Sequence, residues 1–159
     1  MNPLATIAAR AGDNLLHFLV AGGHAVIAHG YARATFGFDL IIPREEREKW
    51  TCVLGRADFS LFQEGPTFLQ FNPPGPEDLP LNLMLVSNAT FEKLEADAAP
   101  AASSDVGAKV VSLRHLLALK CHAIKHGHPG RIVKDADDVI SLVQANGLEM
   151  NGPGIRDRF

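Results

Sequence analysis

The side chains and backbone that could do chemistry in this chain are few and scattered. They are a glycine pair, Gly22 and Gly23, with His24 behind it, then Arg33 and Thr35, the carboxylate Asp39, the amide Asn82, and two lysines, Lys120 and Lys134. A Gly-Gly pair between a strand and a helix lets backbone come close to a ligand and aims N–H groups at an anion. The same pair can also serve only as a tight turn. His24 either touches such a ligand or lies on the helix surface. Arg33 would grip phosphate through its planar fork and Lys120 as a point charge. A surface salt bridge is the competing reading for both, although Lys120 stands among Leu116, Leu117 and Leu119, where a solvated lysine is out of place. Asn82 offers a carbonyl oxygen and an NH2 group without charge, so it reads equally as a ligand to phosphate or water and as a hydrogen-bonded strand-end amide. The chemistry common to this set is the holding of a phosphorylated ligand.

Those residues need elements to position them. "PLATIAARAGDNLLHF" has apolar residues at Leu4, Ile7, Ala8, Ala11 and Leu15, a helical period opened by Pro3. "FLVAGG" is a short strand closed by the glycines, and "HAVIAHG" is a brief helix stopped by Gly30. "FDLII" is a strand. Pro43 ends it and opens the helix "REEREKWTCVLGRA", which buries Trp50 and Leu54. "SLFQE", "TFLQF" and "LNLMLV" are further strands, and "ATFEKLEAD" is a short helix. "AAPAASSDVGA" is a small-residue connection. Ser112 caps the helix "LRHLLALKCHAIKHG", Pro129 and Gly130 break it, and "RIVKDADDVISLVQANG" is a last helix ending at Gly147. On the strand at 38–42, alternation places Gly37, Asp39 and Ile41 on one face and Phe36, Phe38 and Leu40 on the other.

Length and composition narrow the field. A chain of 159 residues, 47% hydrophobic and 21% charged, builds one core. We read a single domain over 1–147 and a loosely ordered tail over 148–159. A net charge of -3 gives no basic footprint for nucleic acid. Cys52 and Cys121 lack the spacing of a zinc ribbon or a redox pair and read as two buried thiols that need no disulfide. His122 and His126 stand four apart on one helix face, but no HExxH or nearby cysteine pair supports a metal site. The N-terminus has Asp13 ahead of its apolar run and resembles neither a signal peptide nor a membrane span. The expectation is a soluble cytoplasmic protein with no membrane partner.

Taken in order, "LVAGGHAVIAHGYARATFGFDLII", "LNLMLVSNATFEKL" and "LRHLLALKCHAIKHG" followed by "KDADDVISL" resemble the nucleotidyltransferase superfamily, in particular its minimal, AbiEii-like members, often associated with toxin–antitoxin loci. The resemblance implies an α/β (α+β) fold, a mixed β-sheet flanked by helices with a C-terminal helical pair. It also implies a Gly-Gly turn over nucleotide phosphates and three carboxylates that bind magnesium for transfer of a nucleoside monophosphate. The family's D-x-D pair falls here on Gly37 and Asp39, and its third Asp falls on Asn82. Two of the three carboxylates are absent, so magnesium binding is expected to be weak or lost, with Asp39 its one charged ligand. "KDADD" resembles the family's C-terminal helix motif, in which Lys134 would face phosphate and Asp135 and Asp138 share a helix face.

Three readings follow. The first is a nucleotide- or phosphate-binding protein with weak or absent catalysis. The second is an active magnesium-dependent nucleotidyltransferase, acting on protein or RNA in the toxin–antitoxin manner, in which Asp39, Asn82, Arg33 and Lys120 position a metal-loaded nucleotide. The third is an interaction scaffold, such as one half of a toxin–antitoxin pair. A Rossmann-like binder is disfavoured because "GGHAVIAHG" lacks GxGxxG. For the first two readings, the strands near 18–21, 39–42 and 81–86 must adjoin, gathering Gly22, Gly23, Asp39 and Asn82 around one cleft, with Arg33 or Lys120 as its cation.

Overall fold

The strands of the chain join one sheet, and its two central strands carry the residues of interest. The computed structural model describes residues 3–100, 107–127 and 129–148. In chain order these form α1 (Pro3–Asp13), β1 (Leu19–Ala21), α2 (Gly22–Ala28), β2 (Phe38–Pro43), a 3-10 turn (Arg44–Glu46) and α3 (Arg47–Arg56). Then come β3 (Ser60–Glu64), β4 (Phe68–Asn72), β5 (Leu81–Val86), α4 (Asn88–Ala96), β6 (Ala99–Pro100), β7 (Lys109–Val110), α5 (Leu113–His126) and α6 (Pro129–Ala145). The sheet order is β3-β4-β5-β2-β1-β7-β6. It is mixed: β2 runs parallel to β5, β1 lies antiparallel to β2, and β7 is parallel to β1.

Alternation along β5 sorts its side chains cleanly. Leu81, Leu83 and Leu85 are buried, whereas Asn82 and Val86 are half-buried and Met84 is exposed. The buried set meets α1 and α3: Ile7 and Leu54 line one cavity with Phe38 and Leu81, so these helices cover that face. Trp50 of α3 is fully buried there, with Phe18 edge-on to its ring. The other face carries Asp39 and Asn82, with α5 and α6 packed against each other beside it. Ser112 caps α5 by accepting a hydrogen bond from the His115 N–H, as its place in the sequence implies.

Some sequence expectations need correction. The two thiols are not both buried: Cys52 is exposed on α3, whose buried face is Trp50, Val53 and Leu54, and Cys121 is half-buried on α5. Leu15 is not on the buried face of the first helix. It takes φ 56 and is 84% exposed, and Leu16 enters the core in its place. The Leu16 N–H bonds to the Ala11 carbonyl at 2.8 Å and the Leu15 N–H to Gly12 at 3.3 Å, the pattern of a left-handed helix stop. The periodicity therefore ran two residues past the helix, which ends at Asp13. The small-residue connection also contains a short strand, Ala99–Pro100, which pairs with Lys109–Val110 directly after the connection, and Val110 in turn pairs with Val20. Pro129 begins α6 instead of only separating two helices, a first-turn position where its missing N–H costs nothing. Val53 joins Trp50 and Leu54 as a buried residue of α3. Leu148 packs against the core, and the rest of the 148–159 tail lies outside the described residues.

Candidate functional site

Asp39 and Asn82 are direct partners in the parallel pairing of β2 with β5, so their side chains emerge side by side. The Asn82 amide donates to Asp39 Oδ1 at 3.0 Å. The same row continues across the sheet through Gln70 on β4 to Gln63 on β3, a line of amides that ends on the Asp39 carboxylate. A sequence read one strand at a time does not show this row, because it depends on register between strands.

The glycines stand against this pair. Gly22 has φ +57, and a Cβ placed on it would fall 2.0 Å from Asp39 Oδ2. A Cβ on Gly23 would fall 2.4 Å from Thr35 Oγ1 and 3.2 Å from an Arg33 nitrogen. Only glycine lets α2 begin directly after β1 at this distance. The close approach is therefore to the protein's own Asp39 and Thr35. Thr35 in turn donates to the Gly37 carbonyl at 3.4 Å.

Two of the three cations expected at the phosphate, Arg33 and Lys120, are already engaged. Arg33 makes a forked contact with Asp138, Nε to Oδ1 at 2.7 Å and Nη2 to Oδ2 at 2.9 Å. Lys120 Nζ lies 2.9 Å from both Asp135 Oδ1 and Asp138 Oδ2. Asp135 is 3% exposed, Asp138 0% and Lys120 7%, so this is an interior ion cluster. Burial pushes the Asp138 carboxyl up, but hydrogen bonds and charge from Arg33 and Lys120 outweigh it and hold the group below the usual carboxylate range. Tyr31, donating to Asp137 at 2.8 Å, adds a second tie from the 29–37 segment to α6.

A cavity of about 220 Å³ opens between these elements. Gly23, Arg33, Thr35, Gly37, Asp39, Asn82, Lys120 and Lys134 line it, so most of the residues singled out from sequence come together. Arg131, Phe36 and Pro80 line it as well and were missed. Arg131 and Lys134 are exposed, and neither has an ion-pair partner among the described residues. The spacing of Arg131 and Lys134, three apart on α6, was the available signal. Gly22 touches the cleft only through Asp39, and His24 is not part of its wall. The His24 ring stacks on Phe38, centroids 4.0 Å apart and planes 4° from parallel, with Nε2 buried and unpaired. Burial lowers its pKa, with Asp39 opposing and Arg33 assisting, so the ring stays neutral.

Phe36 departs from the alternation expected of it. The strand starts only at Phe38, and a bend at Gly37 turns Phe36 away from the Phe38 side, leaving it 78% exposed at the cleft.

The donor set does not suit the magnesium that the family resemblance implies. Asp39 is the one carboxylate beside Asn82, position 37 brings no side chain, and the Asn82 amide gives Asp39 a hydrogen instead of facing a cation with oxygen. Among the described residues no group of three His, Cys, Asp or Glu could hold a metal ion. No described helix is long and apolar enough to cross a membrane.

No protein-family model matches the chain, and no curated protein matches it either. Solved structures do. The chain is similar to ANT(2'')-Ia in complex with adenylyl-2''-tobramycin, at 16% identity over 92% of this chain and 91% of that one, with a TM-score of 0.66. An antigenic nucleotidyltransferase-like protein from Paracoccidioides brasiliensis matches at 16% identity over 98% and 83% of the two chains, TM-score 0.57. Lincosamide antibiotic adenylyltransferase LnuA with lincomycin bound matches at 12% identity over 87% and 93%, TM-score 0.55. The chain has the nucleotidyltransferase fold, a mixed sheet flanked by helices.

Proposed function

We propose that this protein binds a nucleotide or a phosphate group in the cleft beside Asp39 and that its transfer chemistry is weak or absent. The observation that carries the reading is the make-up of the cleft wall: one carboxylate joined to an amide, and two exposed cations, Arg131 and Lys134, without ionic partners among the described residues. A metal-dependent transfer needs several charged oxygens to hold a divalent ion against the phosphates. Here those positions are Gly37 and Asn82. The anion's charge falls to Arg131 and Lys134, while Arg33 and Lys120, held by Asp135 and Asp138, shape the wall behind them.

A thermal-shift series with ATP, GTP, CTP and UTP, with and without magnesium, tests this. Metal-independent stabilisation is expected. At ten times Kd it should reach about 1.4 kcal/mol, roughly 3–6 °C for a chain of this size. Stabilisation that requires magnesium would favour the second reading, an active nucleotidyltransferase. That reading draws on fold neighbours described as an adenylyltransferase and as a complex with adenylyl-2''-tobramycin. Absence of any nucleotide response would favour the scaffold; the finer AbiEii-like, toxin–antitoxin placement belongs to both of these alternatives and rests on motif order alone.

A further inference from the structure

Phosphate chemistry accounts for the cations of the cleft but not for the aromatic ring at its mouth. Phe36 is 78% exposed, while the next phenylalanine, Phe38, is buried at 6%. A continued strand would send both rings to the same side, and the bend at Gly37 separates them. Phe36 lines the same cavity as Arg131 and Lys134. An exposed aromatic residue beside two cations without ion partners among the described residues matches a ligand with a planar, stacking group on one end and anionic oxygens on the other.

We infer that Phe36 is a stacking platform for the base of a nucleotide, so that the cleft selects nucleotides over inorganic polyphosphates. This rests on the reading of the cleft as an anion site and deepens it by assigning the half of the ligand that carries no charge. Stacking on one aromatic ring tolerates any base, since every base has a π-face, so affinity for the four nucleotides should differ little. Phe36 acts as a binding residue and takes no part in bond making.

Calorimetric titration of ATP and of sodium tripolyphosphate, both without divalent metal, into wild type, Phe36→Ala and Phe36→Trp decides the matter. Phe36→Ala should weaken ATP about tenfold and leave tripolyphosphate within twofold. Phe36→Trp should keep ATP affinity. The native Trp50 is fully buried, so the new exposed indole should be quenched by ATP and not by tripolyphosphate. Unchanged ATP binding in Phe36→Ala, or equal loss of both ligands, would overturn the inference. If wild type binds tripolyphosphate as tightly as ATP, base recognition fails while the anion site stands. If it binds neither, both readings fail. Should the alanine variant not fold, the tryptophan quench alone decides: quenching by ATP only supports stacking, and its absence sinks it.

Discussion

The two sides of the cleft treat charge in opposite ways. Toward α5 and α6, Arg33, Lys120, Asp135 and Asp138 are mostly buried and answer one another at 2.7–2.9 Å. Around the mouth, the Asp39 carboxylate accepts a hydrogen bond from the Asn82 amide and has no ion partner among the described residues, and Arg131 and Lys134 are exposed. Arg33 and Lys120 are thus structural, and Arg131 and Lys134 on α6 are the cations open to a ligand. A buried pair repays its desolvation only when every partner is present, whereas an exposed charge loses little by standing alone. The contrast separates what holds this site together from what it can hold.

The largest test breaks the buried side. Asp138→Ala leaves the Arg33 fork without its carboxylate and Lys120 with Asp135 alone, and stability in urea should fall by about 3–5 kcal/mol. A loss under about 1 kcal/mol would show that the cluster does not tie the 29–37 segment to α6. The same group predicts an acid limb. Its folded pKa is depressed, so its contribution is fully present above the ordinary Asp pKa of about 3.9. It is lost as pH falls below that value and through the folded one. Asp138→Asn should flatten this limb of the stability–pH curve.

A smaller effect is expected where the backbone meets the open side. Gly22→Ala would place a methyl on the Asp39 carboxylate at a left-handed φ, at a cost of about 2–3 kcal/mol. Gly12→Ala is the control: it lies in α1 with nothing within 4 Å of a new Cβ, and it should be neutral or stabilise by up to about 1 kcal/mol. Similar melting points for the two variants would mean that Asp39 is not held by this approach.

Much of this was legible from residue order. The strand, Gly-Gly and helix succession, the alternation of β5 and the Ser112 cap are local signals, and the structure follows them. What escaped depends on distance in sequence. Lys120 was suspected because it stands among leucines, but nothing local says that Asp135 and Asp138 would meet it and Arg33 as well. The same holds for the row from Asp39 to Gln63, fixed by three strand registers. Phe36 was misplaced because alternation was extended two residues before the strand begins.

Removing charge from the mouth should weaken binding and leave the fold alone. In Arg131→Gln with Lys134→Gln, melting should stay within about 0.5 kcal/mol of wild type, since both residues are exposed and have no ion partner among the described residues. Tripolyphosphate affinity at low salt should drop about tenfold, and the difference should shrink in 0.5 M salt as screening takes over. An unchanged affinity would return the anion to Arg33 and Lys120, and the contrast between the two sides would collapse.

The smallest effect is the hardest to obtain, because it asks the open side to regain what it lacks. If Gly37 and Asn82 stand at two carboxylate positions, Gly37→Asp with Asn82→Asp should rebuild a triad with Asp39. The geometry permits it: a Cβ at position 37 comes 4.0 Å from the Asn82 amide nitrogen, although the Pro80 carbonyl at 3.2 Å must yield a few tenths of an ångström. Asn82→Asp alone replaces a donated hydrogen with a second carboxylate oxygen about where the 3.0 Å contact now lies. One of the two carboxyls should then titrate higher, and the metal-free protein should lose about 1 kcal/mol. Manganese should reverse this by binding the native state, giving about 1.4 kcal/mol at ten times Kd in the double variant, less in either single one and none in wild type. Melting curves across a manganese titration of all four proteins, followed by transfer assays with labelled nucleotides, read the outcome. Equal metal responses would mean that these positions never formed a triad, and transfer by wild type at the double variant's rate would mean that one carboxylate and an amide already suffice.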